Sequence, residues 1–235
     1  MKRIIIIAIL VSVIFLISCT NLENYVPIEK YDEVHVAYVE AKQDRTELEN
    51  ENKSLQSDID NLENEVEKYQ KLLENLNSLL QNVYYVYQEK SDGSSVWGTG
   101  FSLQYGNRIF LVTAGHAVRG EYGLFENLEF RANFSDEWLF PELLVYENDF
   151  YNNRDYAIFY SDKITSGLYF DLNNSYPKYI LGNGDNNIFK GFDAYNLIEG
   201  ESGSPLIDID GEVIGIVTGN IVDIDLVLEA IDNMK

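Results

Sequence analysis

The chain is poor in cysteine, proline, basic residues and long hydrophobic runs. Its single cysteine in 235 residues, Cys19, excludes an intramolecular disulfide and any multi-cysteine metal site. Only 17 lysines and arginines stand against 39 acidic residues, giving a net charge of −22 and a pI near 4.3. Residues 1–88 hold 8 basic and 15 acidic side chains, for −7, and residues 89–235 hold 9 and 24, for −15. Both halves are acidic, so no patch can neutralise a row of phosphates. Nucleic-acid binding and electrostatic adsorption to an anionic membrane are thereby excluded. Only one hydrophobic run, Ile4 to Ile17, exceeds ten residues, which rules out a multi-span membrane protein. What remains is 46 % hydrophobic and 13 % aromatic with four prolines, too apolar for a fully disordered chain and sufficient for a globular core.

That run follows Lys2 and Arg3 and ends in Leu16-Ile17-Ser18-Cys19. It is shorter than the ~20 helical residues that cross a bilayer core and fits the ~7–15 residues of a secretory signal. The closing tetrapeptide resembles the bacterial lipobox, in which signal peptidase II cuts before the cysteine and the thiol receives a diacylglycerol. The resemblance implies that Cys19 is the lipidation site, that residues 1–18 are removed, and that the rest is exported and held on a bacterial membrane, at the cell surface or the periplasmic face. An uncleaved anchor ending by chance at Cys19 is the alternative. Residues 19–47 read as the lipidated cysteine and a polar tether that turns helical toward its end.

Residues 48–82 contain neither glycine nor proline, and Leu48, Leu55, Leu62, Tyr69, Leu76 and Val83 recur every seventh residue. These are d positions, with Asn52, Ile59, Val66, Leu73 and Leu80 at the matching a positions. Five such heptads predict a coiled coil, and Ile or Val at a, Leu at d and one Asn at a favour two parallel strands. The helix would be about 50 Å long. Asp58 at g faces Glu63 at the partner's e position, which opposes the dimer, and Leu72 and Leu79 widen the apolar face at the C-terminal end. A homo-oligomer through residues 48–82 is expected, with a trimer, or docking of that end onto the following domain, as alternatives.

From residue 83 the pattern changes to short alternating runs punctuated by glycine. It predicts strands at 83–88, 96–104, 108–113, 128–134, 139–146, 156–160, 179–182, 194–198, 205–209 and 212–218. Asp92-Gly93 and Asp210-Gly211 supply hairpin turns, and residues 223–235 read as a closing helix with Asp223 at its N-cap. A mainly β barrel or sandwich follows.

Three motifs carry chemistry. Val112-Thr113-Ala114-Gly115-His116 runs a β-branched strand into a small-residue turn that presents an imidazole. Arg154-Asp155-Tyr156-Ala157 places a carboxylate at the head of an apolar strand, where it can be buried and accept a hydrogen bond; Asp149 competes for that role from a loop-like context. Gly200-Glu201-Ser202-Gly203-Ser204-Pro205 surrounds a serine with residues that let the backbone bend, aiming the amides of Gly200 and Ser202 at one point, as an oxyanion hole requires. The order His, Asp, Ser is that of chymotrypsin and excludes the subtilisin and α/β-hydrolase orders.

With Gly98-Thr99-Gly100-Phe101, these motifs resemble the trypsin-like serine peptidase superfamily over residues 83 to 220, most of all its compact bacterial members, including the protease domains of the high-temperature-requirement type. The resemblance implies two antiparallel barrels with the site between them, and a peptidase domain at 83–235. It implies Ser202 as nucleophile, His116 as general base and acid, Asp155 as the carboxylate orienting His116, and the amides of Gly200 and Ser202 as the oxyanion hole. The reaction it implies, peptide-bond hydrolysis of a polypeptide substrate, needs no metal or cofactor. If the family's spacing holds, Asn196 forms the base of the substrate pocket and Thr218, Gly219 and Asn220 its wall. Two departures stand out. Glu201 replaces the aspartate that, in animal digestive members, pairs with a newly cut amino terminus. The 47 residues from Asp155 to Ser202 are few for a second barrel, so that barrel is expected to be trimmed. A catalytically silent binding module on a coiled-coil lipoprotein stalk is the rival reading.

Overall fold

The computed structural model describes residues 28–89, 95–120, 123–124, 128–173, 177–182, 189–192 and 197–234. Cys19, Asn196 and the Asp92-Gly93 turn lie outside them. One helix, α1, runs Ile28–Leu80, so the described part of the expected tether is already helical. No described helix is long and apolar enough to cross a membrane. The chain divides into two compact units between Glu63 and Asn64.

The first unit, in its described part, is helix alone. Its surface carries pairs one turn apart, Arg45 with Glu49 at 2.8 Å and Gln56 with Asp60 at 2.9 Å, each worth a few tenths of a kcal/mol. The heptad residues Leu48, Leu55, Ile59 and Leu62 are all exposed.

In the second unit the end of α1 is part of the domain. Leu72 and Leu80 are buried, Leu76 and Leu79 are packed against the same core, and Tyr69 meets Tyr179 edge-on at 6.2 Å. Leu73, an a position, remains 57 % exposed. The buried face therefore follows Leu72 and Leu79, which realises the docking alternative for this end of the helix. The turn after α1 is fixed by Asn82, whose carbonyl accepts the Ser102 N–H at 2.8 Å and whose side-chain oxygen accepts the Ser166 hydroxyl at 2.8 Å.

Fourteen strands follow in the described residues: β1 (Val83–Glu89), β2 (Ser95–Tyr105), β3 (Arg108–Thr113), β4 (Arg119–Gly120), β5 (Gly123–Leu124), β6 (Glu129–Ala132), β7 (Trp138–Leu139), β8 (Glu142–Asp149), β9 (Arg154–Tyr160), β10 (Tyr179–Ile180), β11 (Lys190–Gly191), β12 (Pro205–Ile207), β13 (Val213–Val217) and β14 (Ile221–Asp223), then helix α2 (Ile224–Asp232). The order β7-β6-β1-β2-β3-β9-β8 makes a seven-stranded antiparallel sheet and β11-β10-β12-β13-β14 a five-stranded one, with β4-β5 a separate ribbon. The expected strand at 139–146 is broken because Pro141 has no N–H to donate. Leu197 and Ile198 are irregular rather than the end of a strand. The second sheet is the smaller, as the short stretch before Ser202 predicted, and the whole is mainly β after a long helix. Asp223 does precede α2 in extended geometry, without a side-chain cap bond.

A strap, residues 168–171, ties the two sheets. Leu168 exchanges backbone bonds with Ser102 and Gln104 of β2, and Tyr169 and Asp171 bond to Val213 of β13. One core spans both sheets, α2 and the end of α1, centred on Phe101, Val112, Ile158 and Ile216. A second, around Phe130 and Phe159 with ring centroids 5.1 Å apart, fills the far side of the first sheet.

Candidate active site

Each sheet delivers part of one site. Strand β3, apolar from Ile109 to Val112, ends at Thr113, and the chain turns at once into a short 3-10 helix, Gly115–Val118, that carries His116. Beside β3, strand β9 places Asp155 at its second residue, 2 % exposed. The second sheet contributes the bend before β12, which holds Ser202.

The three side chains meet in line. The Ser202 hydroxyl lies 2.7 Å from His116 Nε2, and His116 Nδ1 lies 2.6 Å from Asp155 Oδ2. Since a carboxylate only accepts, Nδ1 carries the hydrogen and donates it to Asp155, leaving Nε2 to accept the serine hydroxyl. The His116 backbone N–H donates to the other carboxylate oxygen at 2.7 Å, so Asp155 fixes both ring and main chain. Asp149 is occupied elsewhere. Its carboxylate accepts from the Asn152 side chain at 2.7 Å and backbone, and those bonds hold its pKa below the usual carboxylate value. Beneath the site Tyr156 donates to Glu147 at 3.2 Å, and its phenol is pushed up to about 12 by burial and by that carboxylate.

The bend at Ser202 depends on two glycines. Gly200 has φ +91° and sits third in the turn closed by the Glu201 N–H to the Ile198 carbonyl at 3.2 Å, the position where a type II turn requires positive φ. Gly203 has φ +88°, and a Cβ there would overlap the Thr99 carbonyl and the Thr113 hydroxyl. Thr99 is the fastener: its N–H donates to the Ser202 carbonyl at 2.9 Å, its hydroxyl to the Gly200 carbonyl at 2.7 Å, and its carbonyl accepts the Thr113 hydroxyl at 2.6 Å. The N–H groups of Gly200 and Ser202 find no acceptor among the described residues.

A cleft of ≈ 620 Å³ opens over these three side chains, lined also by Trp97, Asn148, Leu197, Glu199, Thr218 and Gly219. Thr218 and Gly219 are part of its lining. Asn220 does not line the cleft: it closes a tight turn in which its carbonyl accepts the Thr218 N–H at 2.7 Å. The hairpin from β13 to β14 is too short to leave these residues extended. Sequence reasoning missed Trp97, which packs tilted against Tyr87 at 4.5 Å, and Lys190, which pairs with Glu201. The alternation of β1 and β2 could have put Tyr87 and Trp97 on one face; nothing local marks Lys190.

No family model matches the sequence, and no curated protein does. Among solved structures the chain is similar to a serine endoprotease from Yersinia pestis, with a TM-score of 0.53 and 15 % identity over 71 % of this chain and 66 % of that one. It is also similar to Rv3671c from M. tuberculosis H37Rv, a mutant in its inactive form, with a TM-score of 0.51 and 18 % identity over 68 % of this chain and 90 % of that one. Another inactive form of the Rv3671c protease gives 0.50 and 19 %, over 68 % and 91 %. At these identities the likeness is one of fold: the chain has the fold of the trypsin-like serine peptidases.

Proposed function

We propose that the protein is a serine endopeptidase that hydrolyses polypeptides through Ser202, His116 and Asp155. The observation that carries this reading is the continuous line from Ser202 Oγ to His116 Nε2 and from Nδ1 to a buried Asp155, beside two amides that find no acceptor among the described residues. As Ser202 Oγ bonds to the carbonyl carbon of the scissile peptide, its proton passes to Nε2. The carbonyl electrons move to oxygen, and the N–H groups of Gly200 and Ser202 donate hydrogen bonds to the oxyanion so formed, one such donor being worth ~3–4 kcal/mol. Asp155 stabilises the imidazolium and holds its tautomer. Nε2 then protonates the leaving amine, an acyl-enzyme remains on Ser202, and water, deprotonated by the same nitrogen, releases the acid.

The reading extends to the rest of the chain. Lipid on Cys19 would anchor the exported enzyme, and two or three acyl chains hold firmly where one is reversible. The exposed heptad residues Leu48, Leu55, Ile59 and Leu62 support self-association of the helix. Asn196, Thr218, Gly219 and Asn220 remain the proposed substrate contacts, with Asn220 acting through the turn it closes.

A fluorophosphonate probe tests the reading. The native chain should label once, and Ser202→Ala should lose both labelling and peptide hydrolysis while melting as before. Persistent labelling in Ser202→Ala would place the nucleophile elsewhere, and a folded native chain that never labels would favour the silent binding module.

A further inference from the structure

We propose that Lys190 is the positioning residue of the oxyanion-hole turn, supplying from within the chain the positive charge that holds Glu201 and, through it, the Gly200 amide. The inference rests on the peptidase reading above and deepens it by naming what keeps the site formed.

Glu201 stands immediately before Ser202 with only 1 % of its surface exposed. A carboxylate removed from water to that degree needs a compensating charge and hydrogen bonds. It has both. Oε1 faces the Lys190 ammonium at 2.5 Å, a close ion pair that supplies the compensating charge. Oε2 accepts the Ile198 N–H at 3.0 Å. The backbone of Glu201 also returns to Ile198, donating its N–H to that carbonyl at 3.2 Å, and its own carbonyl accepts the Ser204 N–H at 2.9 Å. One residue therefore ties the first member of the Ile198–Glu201 turn by side chain and main chain together.

The turn type decides where the Gly200 N–H points. Type I and type II turns differ by a flip of the central peptide, here the one joining Glu199 to Gly200, and the flip reverses that N–H. With φ +91° at Gly200 the type II form is present. Without the Lys190 charge, the Glu201 carboxylate gains by moving to water, and its bond to Ile198 goes with it. The turn then loses the constraint that selects its form.

Lys190 is well placed for this work. It pairs with Ile180 across β10 and β11, and its neighbour Phe189 stacks on Tyr179 at 5.1 Å, so the base of its side chain is fixed. Its side chain is 24 % exposed, against 1 % for that of Glu201. Because the cation belongs to the folded chain, the turn is set by folding alone, with no cut in the backbone.

The test is the time course of fluorophosphonate labelling of the full chain. Lys190→Met should reach the same final labelling as the native protein but about 10²–10³-fold more slowly, the loss expected for one oxyanion donor. Lys190→Arg, which keeps the charge, should stay within about tenfold of native. A merely structural role would lower the labelled fraction and leave its rate unchanged, and that result, or a native rate in Lys190→Met, would overturn the proposal. If Lys190→Met does not fold, Glu201→Gln is read in its place: it should be slow too, and a native rate would refute the inference. A native chain that does not label at all would instead remove the peptidase reading on which this one rests.

Discussion

Removing α1 as far as residue 83 should unfold the domain, whereas starting the chain at residue 64 should not. The four leucines at the end of α1 set the magnitude. Leu72 and Leu80 are buried, and burying a leucine fully stabilises by ~1.5–3 kcal/mol. Leu76 and Leu79, packed on the same core but partly exposed, contribute about half as much each. Together they supply about 5–9 kcal/mol, against a whole-domain stability of about 5–15 kcal/mol. Loss of Asn82 also leaves the buried Ser102 N–H without its acceptor, for about 1–3 kcal/mol more. Urea unfolding of the two fragments, followed by tryptophan fluorescence, checks this: the fragment from 64 should give one cooperative transition and the fragment from 83 none. Neighbouring residues sharpen the comparison. In the fragment from 64, at high dilution, Leu72→Ala should lower stability by about 2–5 kcal/mol, while Leu73→Ala, on the exposed side, should change it by less than ~0.5 kcal/mol. A cooperative fragment from 83 with a similar midpoint, or equal effects at 72 and 73, would refute the reasoning.

Gly203→Ala should destabilise by about 2–5 kcal/mol, combining a positive φ for a residue with a Cβ and the overlap with Thr99 and Thr113, and calorimetry showing an unchanged melting temperature would sink that account. Asp155→Asn should keep the fold and lower turnover ~10⁴-fold by imposing the wrong imidazole tautomer; if Asp149→Asn is instead the inactive variant, the assignment of the two carboxylates reverses. Glu212 has its pKa raised by burial and then by Asp208, Asp171 and Asp210, so its protonated form is favoured by the fold and stability is lost as pH rises through that value. Glu212→Gln should therefore raise the melting temperature at pH 7 and lose its advantage below the ordinary carboxylate range, and a gain that is independent of pH would count against this assignment.

Much of this was legible because the signals are local. Strand β3 is legible from its continuous, partly β-branched apolar run, and is observed at the expected residues, Arg108–Thr113. His116, Asp155 and Ser202 each carried a local context, and their order suggested that a fold would unite them. Leu72 and Leu79 were legible as apolar but not as to what they meet, because a heptad seam and a docking face use the same residues at the same spacing. Only the contact with Gly211 and its hairpin decides. Glu201 stands out as a departure, but its partner Lys190 lies on a short strand of the second sheet, in a glycine- and asparagine-rich stretch that gives no periodic signal. The helical start at Ile28 was missed because the polar segment before residue 48 owes its helicity to propensity and i, i+4 pairs rather than to an apolar stripe.

Thr99 bonds at once to the strand that leads to His116, to the carbonyl of Ser202 and to the carbonyl of Gly200. Thermal breathing between the sheets must therefore carry nucleophile, oxyanion turn and base strand as one body, and their mutual spacing survives motions that widen the cleft. Heating such a protein should show no interval in which the fold persists and the site has already come apart. Inactivation and unfolding should share one temperature, and a residue that takes no part in the chemistry, by making three bonds from one position, would be the reason.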